Sequence, residues 1–290
     1  MREDRPSVTA ALVSLARGIG VADDQEDPWA ESMLPPPVGA LLGAYRRSGR
    51  VRLPLRGMLR GLSLGAVDHI VLRMAAIDQA MREAEAAGAE QLVILGAGLD
   101  ARAYRSSRLE PERIFEVDHP ATQAYKRERV RALDSERRPV FVPVDFEKQR
   151  ISQELAAAGH DPASATFWIW EGVTMYLGRS VIAACLGEIA LASAPGSRVA
   201  VTYAVPAIVP SWMPQSARLR AAIDASFRLL SEPLRGLLPP DEMQGLLVGA
   251  GFSPLSDTGS ADWAWRAGAG QALVDPLEAE RLAVAERRER

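Results

Sequence analysis

Two glycines one residue apart follow a short apolar run in QLVILGAGLDARAYR, residues 91–105. After a strand, Gly96 and Gly98 let the backbone pass close to a ligand and turn sharply into a helix. A dinucleotide enzyme, a methyltransferase and a turn without a ligand could all begin this way. A dinucleotide fingerprint has its third glycine at position 101, where Ala101 stands as some such fingerprints allow. Asp118 lies twenty residues after Gly98, the distance at which an acid holds ribose hydroxyls.

Asp100 bears on the choice between these ligands. A dinucleotide pyrophosphate would lie at the helix N-terminus, where a carboxylate repels it. S-adenosyl-L-methionine has no phosphate. Its ribose needs an acid, its adenine needs an apolar wall with a polar partner, and its amino-acid end needs both charges matched. The turn therefore favours S-adenosyl-L-methionine over a nicotinamide cofactor.

Suitable groups follow the other predicted strands as well. Asp118 suits the ribose, and Asp145 with Phe146 suits the edge and face of adenine. Glu171 is available to the ammonium group, and Arg73, on the preceding helix, can pair with the carboxylate bidentately. Each acid taken singly could instead cap the helix that follows it. The ordered set favours a cofactor site.

The elements that would position these groups alternate along the chain. Short apolar strands and amphipathic helices in turn predict a doubly wound parallel sheet. Ligands of such sheets lie at the carboxyl ends of the strands, where the glycines and acids fall. The predicted strands cover 91–98, 113–120, 139–147, 165–177 and 198–205, and the helices between them 121–133, 152–159 and 180–193.

The flanking segments are mostly helical in pattern. Helices are predicted at 7–20 and 66–88, with Pro35–Pro37 as a firm break between them and Gly88 as a C-cap. The arginine-rich residues 38–64 are either a solvated helix face or a surface that attracts an acidic substrate or partner. Residues 206–240, which carry Trp212, Met213 and Phe227, could form a lid or a substrate wall. After them we predict a helix and strand over 241–259, a last strand at 261–268 and a charged helical tail at 276–290.

Composition excludes several classes of protein. Of the 290 residues, 48% are apolar, so a sizeable hydrophobic core is expected. The net charge is −3, so the protein is not expected to attract nucleic acid through an overall positive charge. The single cysteine, Cys185, excludes an internal disulfide and a cysteine-based zinc site; we expect it to be buried and expect no metal. The polar start and the lack of about 18 consecutive apolar residues predict a cytoplasmic protein without a membrane span. The oligomeric state stays open.

Four stretches, LGAGLDARAYR, FEVDHPATQAYKRERV, VPVDFE and WEGVTMYL, closely resemble the leucine carboxyl methyltransferase (Ppm) family. The resemblance runs from about residue 7 to 260 and is nearest to the bacterial small-molecule branch, which includes polyketide carboxyl O-methyltransferases. It implies an α/β class I S-adenosylmethionine-dependent methyltransferase fold, Rossmann-like, with a seven-stranded mostly parallel sheet, N-terminal helices and a helical lid insertion. Ala101 replaces the usual threonine, and residues 45–62 and 206–240 match no pattern, so the substrate stays open. The cofactor contacts that it implies are Arg73, Gly96, Ala97, Gly98, Asp118, Asp145, Phe146 and Glu171.

The three histidines bear on the acceptor. A carboxylate, with a reference pKa of about 4, is ionised at neutral pH and needs alignment rather than a base, whereas a phenol near about 10 needs one. His69 and His119 are expected near the cleft, with His119 fixing its loop, and His160 in a surface-like loop. This scarcity favours a carboxyl acceptor. Tyr176 either orients the acceptor oxygen or caps the sheet.

We therefore predict one methyltransferase domain over 1–290. Its parts are an N-terminal helical region (1–88), a cofactor-binding core (89–205), a lid insertion (206–240), a terminal helix and strands (241–275) and a charged tail (276–290). The predicted reaction converts a small-molecule carboxylic acid, such as a polyketide acid, to its methyl ester. Alternatives are methylation of a phenol or hydroxyl, or of a peptide C-terminal carboxylate; less favoured are an NAD-dependent oxidoreductase and a non-catalytic binding module.

Overall fold

A seven-stranded sheet lies at the centre of the computed structural model, which describes residues 8–20, 26–63, 65–105, 109–110, 113–131, 138–206, 234–268 and 280–289. The strands lie in the order 3-2-1-4-5-7-6. Strands 1 to 5 are parallel, and strand 7 is antiparallel to both of its neighbours. This confirms the predicted α/β architecture with a seven-stranded, mostly parallel sheet. The strands are β1 (Gln91–Leu95), β2 (Ile114–Asp118), β3 (Val140–Pro143), β4 (Thr166–Trp170), β5 (Arg198–Ala204), β6 (Phe252–Gly259) and β7 (Glu280–Arg287).

The five predicted parallel strands are confirmed, with shorter bounds. Strands β1 and β4 are buried at every residue, as expected of central parallel strands covered on both faces. The predicted strand at 165–177 ends early, because β4 stops at Trp170 and Gly172 takes a left-handed φ of 69°. The chain then forms a single 3₁₀ turn over Thr174–Tyr176. Glu171 therefore stands directly at the carboxyl end of β4.

Helices cover both faces of the sheet. On one face the long helix α5 packs Leu72, Ile77 and Met81 against β1 and β4. On the other, the indoles of Trp168 and Trp170 pack among apolar side chains of α8, α9 and α10. The helices of the described residues are α1 (Val8–Ile19), α2 (Ala30–Met33), α3 (Pro36–Arg46), α4 (Arg52–Leu62), α5 (Ala66–Ala86), α6 (Arg102–Arg105), α7 (Pro120–Val130), α8 (Ile151–Ala157), α9 (Arg179–Leu191), α10 (Pro240–Gly249) and α11 (Ser260–Arg266).

The N-terminal helices agree with the pattern except at the prolines. Helices α1 and α5 confirm those predicted at 7–20 and 66–88, and Gly88 follows α5 with a φ of 99°. The triplet Pro35–Pro37 was predicted only to break structure, but Pro36 and Pro37 begin α3. Proline fits the first turn of a helix, whose N–H groups have no partner inside the helix.

The arginine-rich stretch is not the free basic surface that one interpretation predicted. Arg56 is buried and, together with Arg52, pairs with the Glu26 carboxylate. Arg46 donates to the carbonyl oxygens of Gly18 and Asp27. Several of these arginines therefore hold the N-terminal helices together.

Two predictions for the C-terminal region are wrong. Residues 261–268 were predicted as a strand, but α11 is a helix that buries Trp263 and leaves Trp265 82% exposed. In a strand those two rings would share one face. Residues 276–290 were predicted as a helical tail, yet β7 pairs with β5 on one side and β6 on the other. Its buried Leu282, Ala283 and Ala285 show that it is an interior strand.

Most of the predicted lid, residues 207–233 with Trp212, Met213 and Phe227, lies outside the described residues. After this segment, Leu237 forms a β-bridge with Ala204 at the end of β5. None of the described helices is both long and apolar enough to cross a membrane.

Candidate active site

A cavity of about 520 Å³ opens at the carboxyl ends of β1, β2, β3 and β4, beneath helix α1. The structure brings all nine residues that the sequence singled out to its wall. They come from α5, from the carboxyl ends of β1, β2, β3 and β4, and from the turn after β4. These nine are Arg73, Gly96, Ala97, Gly98, Asp118, Asp145, Phe146, Glu171 and Tyr176. Their roles in binding and catalysis remain predictions.

The glycine turn is shaped by close packing and by a bond to β2. Gly96 and Gly98 have φ values of 65° and 45°, in the left-handed region that favours glycine. A Cβ on Gly96 would lie 2.3 Å from Cγ2 of Val173. The N–H of Gly98 donates to Oδ2 of Asp118 at 2.5 Å. The turn thus runs close along the cavity wall, and Asp118 fixes it.

Asp118 is placed as a ribose-binding acid would be, at the end of β2. Its Oδ1 accepts the N–H of His119 at 2.6 Å, so each carboxylate oxygen accepts one backbone hydrogen bond. A carboxylate oxygen can accept more than one, so capacity for hydroxyl groups remains. Burial raises the pKa of Asp118, and the two backbone donors partly offset that rise.

Asp145 and Phe146 place a polar group beside an aromatic face. The Asp145 carboxylate lies 2.8 Å from Nζ of Lys148 and accepts the N–H of Glu147 at 3.0 Å. The hydrogen bond from Lys148 is the main reason that the pKa of Asp145 is lowered. Phe146 is half-buried against the core under β3 and also lines the cavity. The adenine-binding role of this pair stays a prediction.

Contrary to the prediction, the guanidinium of Arg73 is not free to bind a ligand carboxylate with two hydrogen bonds. Its Nε donates to Oε1 of Glu171 at 2.9 Å, and its Nη1 donates to Oε2 of Glu280 at 2.5 Å. The side chain is 6% exposed. Two of its three nitrogens are therefore bound to carboxylates of the protein, and a bidentate grip on a ligand would have to displace one of them.

Two arginines that the sequence analysis missed complete this network. Arg17 of α1 donates to Glu171 at 2.7 Å, and Arg102, fully buried, donates to the other oxygen of Glu171 at 2.5 Å. Burial opposes ionisation of Glu171, but Arg102, Arg17 and Arg73 hold its pKa well below the usual range. Arg102 follows Asp100 by two positions, and that spacing was the available signal. Nothing in the sequence of α1 distinguishes Arg17 as a residue of the site.

The interpretation of Asp100 as a bare negative charge is wrong. Its carboxylate pairs with Arg102 and lies 3.5 Å from Arg17, and burial is outweighed by these cations, which lower its pKa. Repulsion by Asp100 alone therefore does not decide the ligand. The cavity as a whole does favour a cation, because five acids and four bases line it when His119 is neutral. S-adenosyl-L-methionine, with its sulfonium, ammonium and carboxylate, carries one net positive charge.

The histidines differ from the prediction in two cases. His119 lines the cavity, and its Nδ1 accepts the N–H of Ala121 at 3.3 Å, which agrees with the predicted role in fixing the loop. His69 is buried instead against Glu280, with Nε2 and Oε2 2.9 Å apart. His160 was predicted in a surface-like loop but is buried between Phe115 and Trp168, and burial lowers its pKa to about 4.

The turn after β4 also lines the cavity. Thr174 donates from its hydroxyl to the carbonyl of Thr202 at 2.7 Å, which ties the turn to β5. Tyr176 is half-buried on this turn. The N–H of Arg235 donates to the carbonyl of Met175 at 2.8 Å, so the backbone at Arg235 lies against the same turn.

Cys185 lies on α9 and is not among the residues that line the cavity. It is buried in the core beneath α9, as predicted, and burial raises the pKa of its thiol to about 12. A thiol held neutral in this way is a packing residue.

Comparison with known proteins gives the fold and site their context. The model of the leucine carboxyl methyltransferase family matches residues 15–190. A Streptomyces coelicolor protein is 36% identical over 199 residues, which cover 67% of this chain and 69% of that protein. A Mycolicibacterium gilvum protein is 32% identical over 86% of this chain and 78% of its own length. Both carry the name "Putative S-adenosyl-L-methionine-dependent methyltransferase".

Solved structures show the same architecture over nearly the whole chain. A DUF574 family protein from Streptomyces avermitilis is 15% identical with a TM-score of 0.60, and the match covers 97% of this chain and 98% of that one. A crystal structure titled as a "putative methyltransferase" from Thermobifida fusca is 14% identical with a TM-score of 0.58, covering 99% and 97%. These likenesses concern the fold alone.

The sheet order and these relatives define a class I S-adenosyl-L-methionine-dependent methyltransferase. Within that class the chain belongs to the leucine carboxyl methyltransferase family. Its methyl donor is S-adenosyl-L-methionine, as predicted, and the nicotinamide-dependent and non-catalytic alternatives are set aside.

Proposed function

We propose that this methyltransferase transfers a methyl group to a carboxylate of a small molecule and releases a methyl ester. In this reaction an acceptor oxygen attacks the methyl carbon in line with the carbon–sulfur bond. That bond breaks as the new carbon–oxygen bond forms, and S-adenosylhomocysteine leaves. A carboxylate enters the reaction already ionised, so the protein has only to align it and keep water out.

The lack of a free histidine base carries this proposal. Only three histidines occur in the chain. Because Nδ1 of His119 accepts a hydrogen bond from Ala121, a neutral ring carries its proton on Nε2 and has no lone pair left to take a proton. His69 and His160 are buried against Glu280 and Thr166. An acceptor that must lose a proton, such as a phenol, finds no histidine placed to remove it.

The cofactor half of the cavity follows from the groups described above. Asp118 would hold the ribose, Asp145 and Phe146 the adenine, and the Glu171 network the amino-acid end. Tyr176, on the turn after β4, would orient the acceptor oxygen. The cofactor supplies an electrophilic methyl group on a positively charged sulfur, and the acceptor carboxylate supplies the electron pair.

The proposal is tested by screening carboxylic acids and matched phenols with S-adenosyl-L-methionine that carries a deuterated methyl group. Mass spectrometry is expected to show label only in acids, and mild alkali is expected to remove it, because esters hydrolyse and aryl ethers do not. The rate is expected to stay nearly flat from about pH 6 to about pH 9, since an acceptor with a pKa near 4 is ionised throughout. An alkali-stable product, with a rate that rises through the pKa of a base, would refute carboxyl methylation and leave the methyltransferase assignment intact.

A further inference from the structure

Part of the cavity wall is left over once the cofactor groups are assigned. Seven of the remaining lining residues form what we call the acceptor wall: Thr9, Ala10 and Val13 of α1, Val173, Tyr176 and Leu177 of the turn after β4, and Arg235. Four of its seven side chains are purely apolar. Among the described residues that form it, Arg235 alone is charged.

Arg235 differs from the other cations that line the cavity. Arg17 and Arg73 pair with Glu171, and Lys148 pairs with Asp145. Within the described part of the chain, no carboxylate lies within ion-pairing distance of Arg235, and the residue is exposed. The charge of Arg235 is therefore available to a ligand, whereas the charges of the other three cations are already neutralised by carboxylates.

The backbone holds Arg235 beside the turn that carries Tyr176. The N–H groups of Arg235 and Gly236 both donate to the carbonyl of Met175, at 2.8 and 3.0 Å. Gly236 packs so closely that a Cβ would lie 2.1 Å from the carbonyl oxygen of Thr174 and 2.6 Å from that of Leu177. Only glycine permits this approach. The position of Arg235 is thus set by the same turn that forms the acceptor wall.

We propose that Arg235 binds the carboxylate of the acceptor and thereby selects an apolar monocarboxylic acid. This inference rests on the proposed function and names the group that recognises the substrate. A guanidinium matches the two oxygens of a carboxylate with parallel hydrogen bonds, and the apolar remainder of the wall takes up the body of the acid. Neutral acceptors of the same shape gain nothing from the guanidinium.

The test measures equilibrium binding to the full-length protein saturated with S-adenosylhomocysteine. The probes are 1-naphthoate and decanoate, each compared with its neutral amide by titration calorimetry. Arg235→Gln is expected to weaken carboxylate binding about tenfold or more, the loss of a charge-assisted pair, and to leave the amides and S-adenosylhomocysteine unchanged. Arg235→Lys keeps the charge but loses the fork, and an intermediate loss is expected.

A matched control is Arg266→Gln, which alters an exposed arginine on α11 outside the cavity and is expected to change nothing. Equal carboxylate affinity in the wild type and Arg235→Gln would overturn the role of Arg235, while ester formation in the product assay would still uphold carboxyl methylation. If neither acid binds better than its amide, the inference also fails. The product assay then decides the proposed function by itself.

Discussion

Buried Glu116 and Lys126 lie directly beneath the glycine turn. Nζ of Lys126 is 2.8 Å from the Glu116 carboxylate and also donates to the carbonyl of Asp100 at 2.6 Å. Burial raises the pKa of Glu116 to about 7, and Lys126 offsets only part of that rise. Glu116 therefore binds a proton in the folded protein at a pH where the unfolded chain has lost it.

This shift predicts how stability depends on pH. Between about pH 4.5 and 7 the folded state holds the Glu116 proton and the unfolded state does not, so the contribution of Glu116 falls as pH rises. Buried His160, with its pKa lowered to about 4, gives the opposite slope between about pH 4 and 6.5. The wild-type curve alone therefore does not separate the two groups.

The variant Glu116→Gln separates them. It removes one titration and leaves His160 unchanged. The free energy of unfolding of the wild type minus that of the variant is expected to decrease from pH 4.5 to pH 7.5 by a few kcal/mol, as read by urea denaturation. A difference that stays constant, or increases, would show that Glu116 is ionised throughout this range.

Single residues of the site were predictable where a residue type matched a chemical need at a strand end. Asp118, Asp145 and Glu171 were found in this way, and all three line the cavity. The side chains that pair with these acids could not be predicted from the sequence. Whether an arginine such as Arg17 turns inward depends on how α1 packs on the sheet, and that packing joins positions more than 150 residues apart.

At the scale of elements, the parallel strands were predictable because continuous apolar runs are typical of strands covered on both faces. The C-terminal elements were not. The stretch that forms β7 reads LAVA among charged residues, a pattern as compatible with a helix as with a strand. Its neighbours β5 and β6 decide the matter, since each leaves an edge that only an extended segment can pair with.

The glycine turn after β1 allows a matched test. Gly96→Ala places a Cβ 2.3 Å from Val173 and also imposes strain on a left-handed backbone, whereas Gly88→Ala imposes the strain with nothing within 4 Å. Both variants are expected to lose about 1 kcal/mol or more of stability from the backbone. Only Gly96→Ala is expected to lose S-adenosyl-L-methionine affinity, by about tenfold or more, because the turn must shift. Similar affinities in the two variants would show that the close approach of Gly96 is not needed for binding.

At the scale of the whole molecule, Glu280 joins the far side of the sheet to the cavity. It begins β7, accepts a hydrogen bond from Arg73, and lies 2.9 Å from His69. Burial opposes its ionisation, but Arg73 and His69 lower its pKa to about 2. One ionic chain thus runs from β7 through Arg73 to Glu171 at the end of β4.

The effect of that chain is measurable with two variants on one strand. Glu280→Gln removes a buried partner of Arg73, so the free energy of unfolding is expected to fall by about 3–5 kcal/mol. The affinity for the cofactor is expected to fall as well. Glu286→Gln removes a half-exposed ion pair with Arg198, which contributes about 1 kcal/mol or less. Thermal unfolding and calorimetric titration of S-adenosyl-L-methionine compare the two. Equal cofactor affinities would mean that Glu280 serves stability alone.

The central place of β7 also has a consequence for the order in which the sheet assembles. Strand β6 has no direct hydrogen bonds to β5, because β7 lies between them and pairs with both. Strands β5 and β7 are about eighty residues apart, so their pairing requires closure of a long loop, which is entropically slow. We therefore expect the edge of the sheet to form late and to open as one cooperative unit. In native-state hydrogen exchange, we expect the amides of β6 to be protected no better than the opening of β7 allows. Because Arg73 binds Glu280 at the start of β7, a ligand that holds Arg73 in place is expected to slow exchange in β6 without touching that strand.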